Sequence, residues 1–251
     1  MAGVIKQGAC PYCASHDAYT EYDDGGYHCF SCGAHLPGNE YKKMIAKLGA
    51  GTGKTVVECP ALPEDSTSLI GPRGNAQGTV SPQAYAWLGK VGITDAEIDQ
   101  NNMLWSEDKQ LLIFPVLDEV GDILMWQGRY FGDKPRHPKY LTRGLKETTV
   151  CIIGQGKKGP LVLTEDLLSA IKVGRQQPAM PIWGSSVSSE LVQRLRLIYP
   201  AVRLWLDFDK RETSVRIAVK HSLWIDIDPI ITQLDPKCYT DEEIESYLRT
   251  K

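Results

Sequence analysis

The chain has no apolar run long enough to cross a bilayer. Its longest, such as Leu111 to Leu117 and Leu161 to Leu163, fall far short of the roughly 20 residues a membrane helix needs. It also lacks a secretory leader, because Met1 to Ala9 is too short and too polar to be one. An excess of one charge is missing too: the formal net charge is −3 over 251 residues, with 42% hydrophobic and 24% charged residues. No internal repeat is visible. These absences set aside membrane spans, solenoids and polycations, and leave an expectation of a cytoplasmic protein of one large or two modest domains.

What is present begins with cysteine. Four of the seven cysteines are spaced Cys10-x2-Cys13, fifteen residues, Cys29-x2-Cys32. Each CxxC turn points two sulfurs inward, and the intervening stretch can form a hairpin that joins the pairs. This is the pattern of a tetrahedral structural zinc ribbon. His16, His28 and His35 lie close by as alternative ligands, but the four cysteines alone complete two knuckles. A ribbon this small takes its folding energy from the metal. Its aromatics Tyr12, Tyr27 and Phe30 are candidates either for stacking on unpaired bases or for its own small core. Cys59, Cys151 and Cys238 are scattered singly and read as reduced, half-buried thiols.

The ribbon is assigned to residues 1–36 and a linker rich in Pro, Gly, Ser and Thr to 37–80, interrupted by a short helix around Tyr41 to Leu48. Gly51-Thr52-Gly53-Lys54-Thr55 resembles a phosphate-binding P-loop. However, Leu48 stands where the first glycine belongs, and no strand leads into the segment.

Residues 81–158 read as α+β. Ser81-Pro82 opens a helix through about Leu88, and Thr94-x-x-Glu97 forms a capping box. Leu111 to Leu117 and Ile123 to Trp126 make a hairpin. The segment Arg129 to Lys146 then carries six basic residues and one acid, a local +5 in a chain whose remainder is −8. It suits either a polyanion site or a solvated loop.

Residues 159–251 alternate strand and helix, which predicts a mostly parallel, buried sheet. Strands are expected over Leu161 to Thr164, Ala179 to Trp183, Val202 to Leu206 and Ile230-Ile231. Helices are expected over Leu167 to Val173, Ser189 to Ile198 and Ser214 to Leu223, with a last helix capped at Thr240-x-x-Glu243. Two strand ends carry acids: Glu165 after the first, and Asp207-Phe208-Asp209 after the third. Ligands of open parallel sheets bind outside the carboxyl ends of the strands. Strand alternation would turn Asp207 and Asp209 to one face. Such a set of hard oxygens suits Mg²⁺, which binds a few carboxylates and keeps water and phosphate oxygens.

The acidic end of one strand followed by Asp-x-Asp resembles a TOPRIM domain. Tyr27-His28-Cys29-Phe30-Ser31-Cys32-Gly33 is similar to the zinc-binding segment of bacterial and phage DNA primases. Ile113 to Glu119, Gln127-Gly128-Arg129 and Pro138-Lys139-Tyr140-Leu141 resemble the N-terminal subdomain of the primase core. The resemblance covers nearly the whole chain except the linker. It implies an α/β fold: zinc ribbon, flexible linker, α+β subdomain and Rossmann-like TOPRIM sheet, without a fused helicase. It further implies RNA primer synthesis on single-stranded DNA from ribonucleoside triphosphates. Zn²⁺ would be structural and one or two Mg²⁺, or Mn²⁺ in its place, catalytic. A separate replicative helicase is the implied partner, and the bacterial cytoplasm is the implied location if the chain is phage-encoded.

Glu165, Asp207 and Asp209 would hold the metal. Asp235 is the third acidic position, with Asp226 and Asp228 as alternatives. Arg129 and Lys139 match the family's basic positions, and Lys210 could reach a phosphate or simply be solvated. The sequence departs from the family at Glu165-Asp166-Leu167-Leu168-Ser169, where Ser169 stands in place of an expected aspartate unless Asp166 substitutes. Lys210-Arg211 follow Asp-x-Asp where the family often has a small residue and glycine. Two other functions stay open: a TOPRIM nuclease, and a catalytically degenerate TOPRIM protein that binds DNA or regulates replication.

Overall fold

The computed structural model describes residues 4–10, 15–23, 27–29, 35–36, 60–70, 81–118 and 120–249. The chain divides into two compact units, Met1–Glu58 and Cys59–Lys251.

The first unit is an antiparallel meander of β1 (Val4–Gly8), β2 (Tyr19–Tyr22), β3 (Tyr27–Cys29) and β4 (His35–Leu36). Cys10, Tyr19 and Cys29 form one buried cluster, with the Tyr19 and Tyr27 rings 5.4 Å apart. The Cys10 N–H donates to Ser15 O at 2.8 Å. Cys13, Cys32, Tyr12, Phe30, Cys59, the helix expected near Tyr41 and the loop Gly51 to Thr55 lie outside the described residues.

The second unit begins with an antiparallel sheet of β5 (Thr67–Ser68), β6 (Leu104–Ser106), β7 (Leu111–Leu117), β8 (Ile123–Tyr130) and β9 (Tyr140–Gly144), in that spatial order. Successive side chains of β7 enter opposite cores. Leu112, Phe114 and Val116 face the main one, whereas Leu111 and Ile113 face a smaller one with Trp126 and Leu62. Pro115 sits inside β7 without breaking a ladder. β6 pairs only as far as Ile113, so the missing N–H meets an open edge. Two helices cover the main core. In α1 (Pro82–Lys90) the Ser81 hydroxyl accepts the Ala84 N–H, and α2 (Asp95–Gln100) carries the Thr94/Glu97 capping box.

Residues 60–70, which composition assigns to the linker, belong to this unit. Leu69 is 1% exposed, β5 pairs with β6, and Asp65 accepts from Ser106 Oγ at 2.7 Å and from the Asp108 N–H at 2.8 Å. Local composition reports turn chemistry, and these turns are pinned by residues about forty positions away.

The parallel sheet follows. β10 (Leu161–Thr164), β11 (Ala179–Pro181), β12 (Ala201–Trp205) and β13 (Asp226–Pro229) lie in the order β11-β10-β12-β13, every pair parallel. The intervening helices are α3 (Leu167–Gly174), α4 (Ser189–Leu195) and α5 (Arg211–His221), with α6 (Asp241–Arg249) at the end. Both faces are covered. Leu161, Leu163, Val202 and Leu204 pack with residues of α4 and α5, while Val162 and Trp205 pack with α3 and Ile244 of α6. Every residue of α3 is buried, because its outer side meets the first subdomain through Leu167, Leu168 and Ile171.

Two expectations are corrected here. The last strand is Asp226–Pro229 rather than Ile230-Ile231, although the Ile230 N–H still donates to Leu204 O at 2.9 Å. The third strand ends at Trp205, and Phe208–Lys210 form a 3-10 turn. Strand alternation therefore does not set the directions of Asp207 and Asp209.

Candidate active site

In the parallel sheet the chain leaves β10 toward β11 on one side and returns to β12 on the other. The topological switch point thus lies between β10 and β12, where such sheets bind ligands. Glu165 follows β10 and Asp207 follows β12, so both acids stand at the mouth of that crevice. The backbone beside Glu165 is held by Gly184, whose N–H donates to Glu165 O at 2.9 Å. The adjoining Trp183 is buried with φ at 57°, a left-handed conformation rare for a bulky residue. Lys146, the last residue of the basic segment, comes to the same loop. Its Nζ lies 3.6 Å from where a Cβ on Gly184 would stand.

Around the crevice three further groups converge. Asp166 caps α3, its Oδ1 accepting the Ser169 N–H at 2.9 Å. Asp235, ahead of a short 3-10 turn, accepts the Phe208 N–H at 3.1 Å. Lys237 reaches between them. Its Nζ is 2.7 Å from Asp166 Oδ2, 3.0 Å from Asp207 Oδ2 and 3.0 Å from Asp235 Oδ2.

Burial pushes Asp207 up to about 7 against the pull of Lys237. Burial also lifts Glu165 above its ordinary range, with Lys210 opposing. Asp235 is half-buried, yet Lys237 and the Phe208 N–H hold it below the usual carboxylate value. Burial alone would depress Lys237; the three aspartates raise it well above an ordinary lysine.

The other residues singled out in the sequence divide clearly. Asp209 is exposed and pairs with Lys210. Asp228 pairs with Arg203 at 3.1 Å on β13, and Asp226 is exposed at the start of that strand; Asp235 is the acid brought to the cluster. Arg129 of β8 lies over the Trp87 ring at 4.0 Å, with Phe131 and Tyr140 flanking, and donates to Tyr140 Oη at 2.9 Å. Its Nε is buried without a partner. Burial raises the Tyr140 pKa; Arg129 opposes and the charge of Asp166 adds. Lys139 is exposed, 5.7 Å above the Tyr140 ring. Cys151 is half-buried, its thiol pushed up to about 11 by burial, and Cys238 is exposed.

Lys237 was not legible as a site residue, since a lysine two positions after an aspartate carries no motif. Arg175 was missed for the same reason. It grips Glu97 of the α2 capping box at 2.7 and 2.8 Å, Asp241 at 3.0 Å and Gly92 O at 2.6 Å.

Two carboxylate oxygens in the crevice, Glu165 Oε2 and Asp207 Oδ1, are buried without a hydrogen-bond partner. Such orphans fit a cation, and Mg²⁺ commonly takes one or two carboxylates while water and phosphate fill its remaining positions. Among the described residues no group of three or more His, Cys, Asp or Glu is arranged to hold a metal ion. In the first unit the buried pair Cys10 and Cys29 fits half of a four-sulfur zinc site.

No family model and no curated protein sequence matches the chain. Solved structures do. The zinc-binding and RNA polymerase domains of the Aquifex aeolicus primase match over 98% of this chain and 80% of theirs, with a TM-score of 0.56 at 14% identity. The primase fragment of the bacteriophage T7 primase-helicase matches over 98% of this chain and 99% of that fragment, TM-score 0.51 at 14% identity. A DnaG primase catalytic domain bound to single-stranded DNA matches over 68% of this chain and 72% of its own, TM-score 0.54 at 15% identity. The fold is therefore that of a nucleic-acid enzyme core built on a parallel sheet. More particularly, it is the fold of the bacterial and phage primases, matched from the N-terminal ribbon segment to the last helix.

Proposed function

We propose that this protein is a DNA primase that joins ribonucleoside triphosphates on a single-stranded DNA template. The observation that carries the reading is the pair of orphaned carboxylate oxygens, Glu165 Oε2 and Asp207 Oδ1, at the switch point of a sheet with the primase fold. Glu165 and Asp207, with Asp209 at the rim, would hold Mg²⁺. The bound ion supplies Lewis-acid stabilisation of the attacking 3′-oxygen and of the triphosphate. The remaining work is positioning and electrostatics. Arg129, fixed by its ring stack but with most of its N–H donors uncommitted, would orient a triphosphate or template phosphate. Lys139 and Lys146 extend that positive surface, and Lys210 tethers Asp209. Cys10, Cys13, Cys29 and Cys32 would hold Zn²⁺ in the ribbon, which reads the template through its aromatics. A separate helicase would deliver the single strand.

The test is incorporation of labelled ribonucleotides on single-stranded DNA containing every trinucleotide, with Mg²⁺, beside Asp207→Asn. Short labelled oligoribonucleotides from the native protein alone support the reading; shortened DNA replaces it with a nuclease. One observation favours a second reading: Lys237 already occupies the centre of the acidic cluster, as in a TOPRIM module that binds DNA without catalysis. That reading expects no product and DNA binding indifferent to Mg²⁺.

A further inference from the structure

Lys237 donates to Asp166 and Asp207 and pairs with Asp235 at 3.0 Å, three carboxylates from the α3 cap, the end of β12 and the turn before α6. Its side chain is 14% exposed, and those of Asp166 and Asp207 are 17% and 20% exposed. The second oxygens of Asp166 and Asp235 are also committed, to the Ser169 and Phe208 N–H groups. Of the carboxylate oxygens of this cluster, among the described residues, Asp207 Oδ1 and Glu165 Oε2 are buried and unpartnered. The cluster is thus divided through Asp207, with one oxygen on the ammonium and the other without a partner.

We infer that Lys237 is a built-in cation, its ammonium filling the place among Asp166, Asp207 and Asp235 that a second divalent ion would need, so that the acids hold one ion and not two. The inference deepens the polymerase reading and rests on it. Proximity sets the stoichiometry. Glu165, Asp166, Asp207, Asp209 and Asp235 are five acids, and Lys237 and Lys210 return two positive charges. One divalent ion would leave a net −1 and two a net +1, so net charge does not choose between them; a second ion, however, would have to share oxygens with an ammonium about 3 Å away. A covalently tethered charge also cannot dissociate. That half of the site is therefore independent of metal concentration, and dependence on the divalent ion should be first order.

The test counts ions and does not require activity. The full chain, its ribbon saturated with zinc, is titrated with Mn²⁺ and bound Mn²⁺ is counted by electron paramagnetic resonance. One ion in the native protein, one in Lys237→Arg and two in Lys237→Ala is the expected result. Two ions in the native protein, both lost in Asp207→Asn, overturn the role of Lys237 and leave the polymerase reading standing. One ion in a Lys237→Ala variant with native circular dichroism also overturns it. No ion in the native protein, with Asp207→Asn unchanged, overturns the polymerase reading itself. Should Lys237→Ala fail to fold, Lys237→Gln takes its place, and the native count still decides.

Discussion

Arg175 and Lys237 both bridge distant elements in the second unit, and they differ in what they leave unsatisfied. Arg175 clamps the α2 capping box, the turn after α1 and the start of α6 onto the end of α3, and every oxygen it meets is paired. Lys237 clamps the α3 cap, the end of β12 and the turn before α6, but one oxygen of Asp207 stays buried and unpartnered, as does one of Glu165. A saturated clamp stores stability. An unsaturated one keeps a desolvation cost that only a ligand can relieve. The difference marks Arg175 as a joint and Lys237 as part of a site, though both are basic residues among acids.

The sharpest break of this comparison is Asp207→Asn. Primer synthesis should fall about 10³-fold or more, while Tm without divalent ions should rise by about 2–4 °C, because a neutral amide escapes the burial that holds the carboxyl at about 7. A lower Tm would mean that the carboxylate stabilises the fold. Arg175→Ala should do the reverse. A stability loss of roughly 2 kcal/mol, between the exposed and fully buried ranges for ion pairs, should appear as a lower denaturation midpoint, with synthesis per folded molecule retained. Loss of synthesis at full stability would move Arg175 into the site.

Arg129→Ala tests the basic surface. Affinity for single-stranded DNA should drop and the slope of log K against log salt should shrink by about 0.7, the value for one phosphate on a single strand. An unchanged slope would leave Arg129 as a stacking residue under Trp87.

The smallest effect concerns pH. His221 is 1% exposed, with Nε2 3.2 Å from Val187 O, and burial lowers its pKa below the ordinary 6.5. The folded state therefore binds fewer protons than the unfolded state. The contribution of His221 to stability is complete above about 6.5 and is lost as pH falls through the depressed value. Denaturation midpoints should drop between pH 7 and 5, and His221→Leu should flatten that slope; an equal slope would assign the acid sensitivity elsewhere.

Much of the fold was readable because its signals are local. The Ser81-Pro82 start and the Thr94/Glu97 box close within four residues, and the apolar runs of β7 and β10 declare strands by themselves. The position of Glu165 and Asp207 at the carboxyl ends of strands was legible because each follows such a run. The failures share a cause. The segment 60–70 reads as linker, yet it is held by Ser106 and Asp108. The shared face expected of Asp207 and Asp209 assumed a strand that ends two residues earlier.

The sequence by itself determined the order of elements, the cysteine spacing and the two acidic strand ends, since each depends on residues within one turn or one strand. Only the tertiary structure decided that Asp166, Asp207 and Asp235 share one ammonium, and that Glu97 and Asp241 share one guanidinium. Asp166, Asp207, Glu97 and Asp241 lie 30 to 78 residues from their cation, and only Asp235 is near its lysine in the chain; a charge finds such distant counter-charges by packing, which no local pattern encodes.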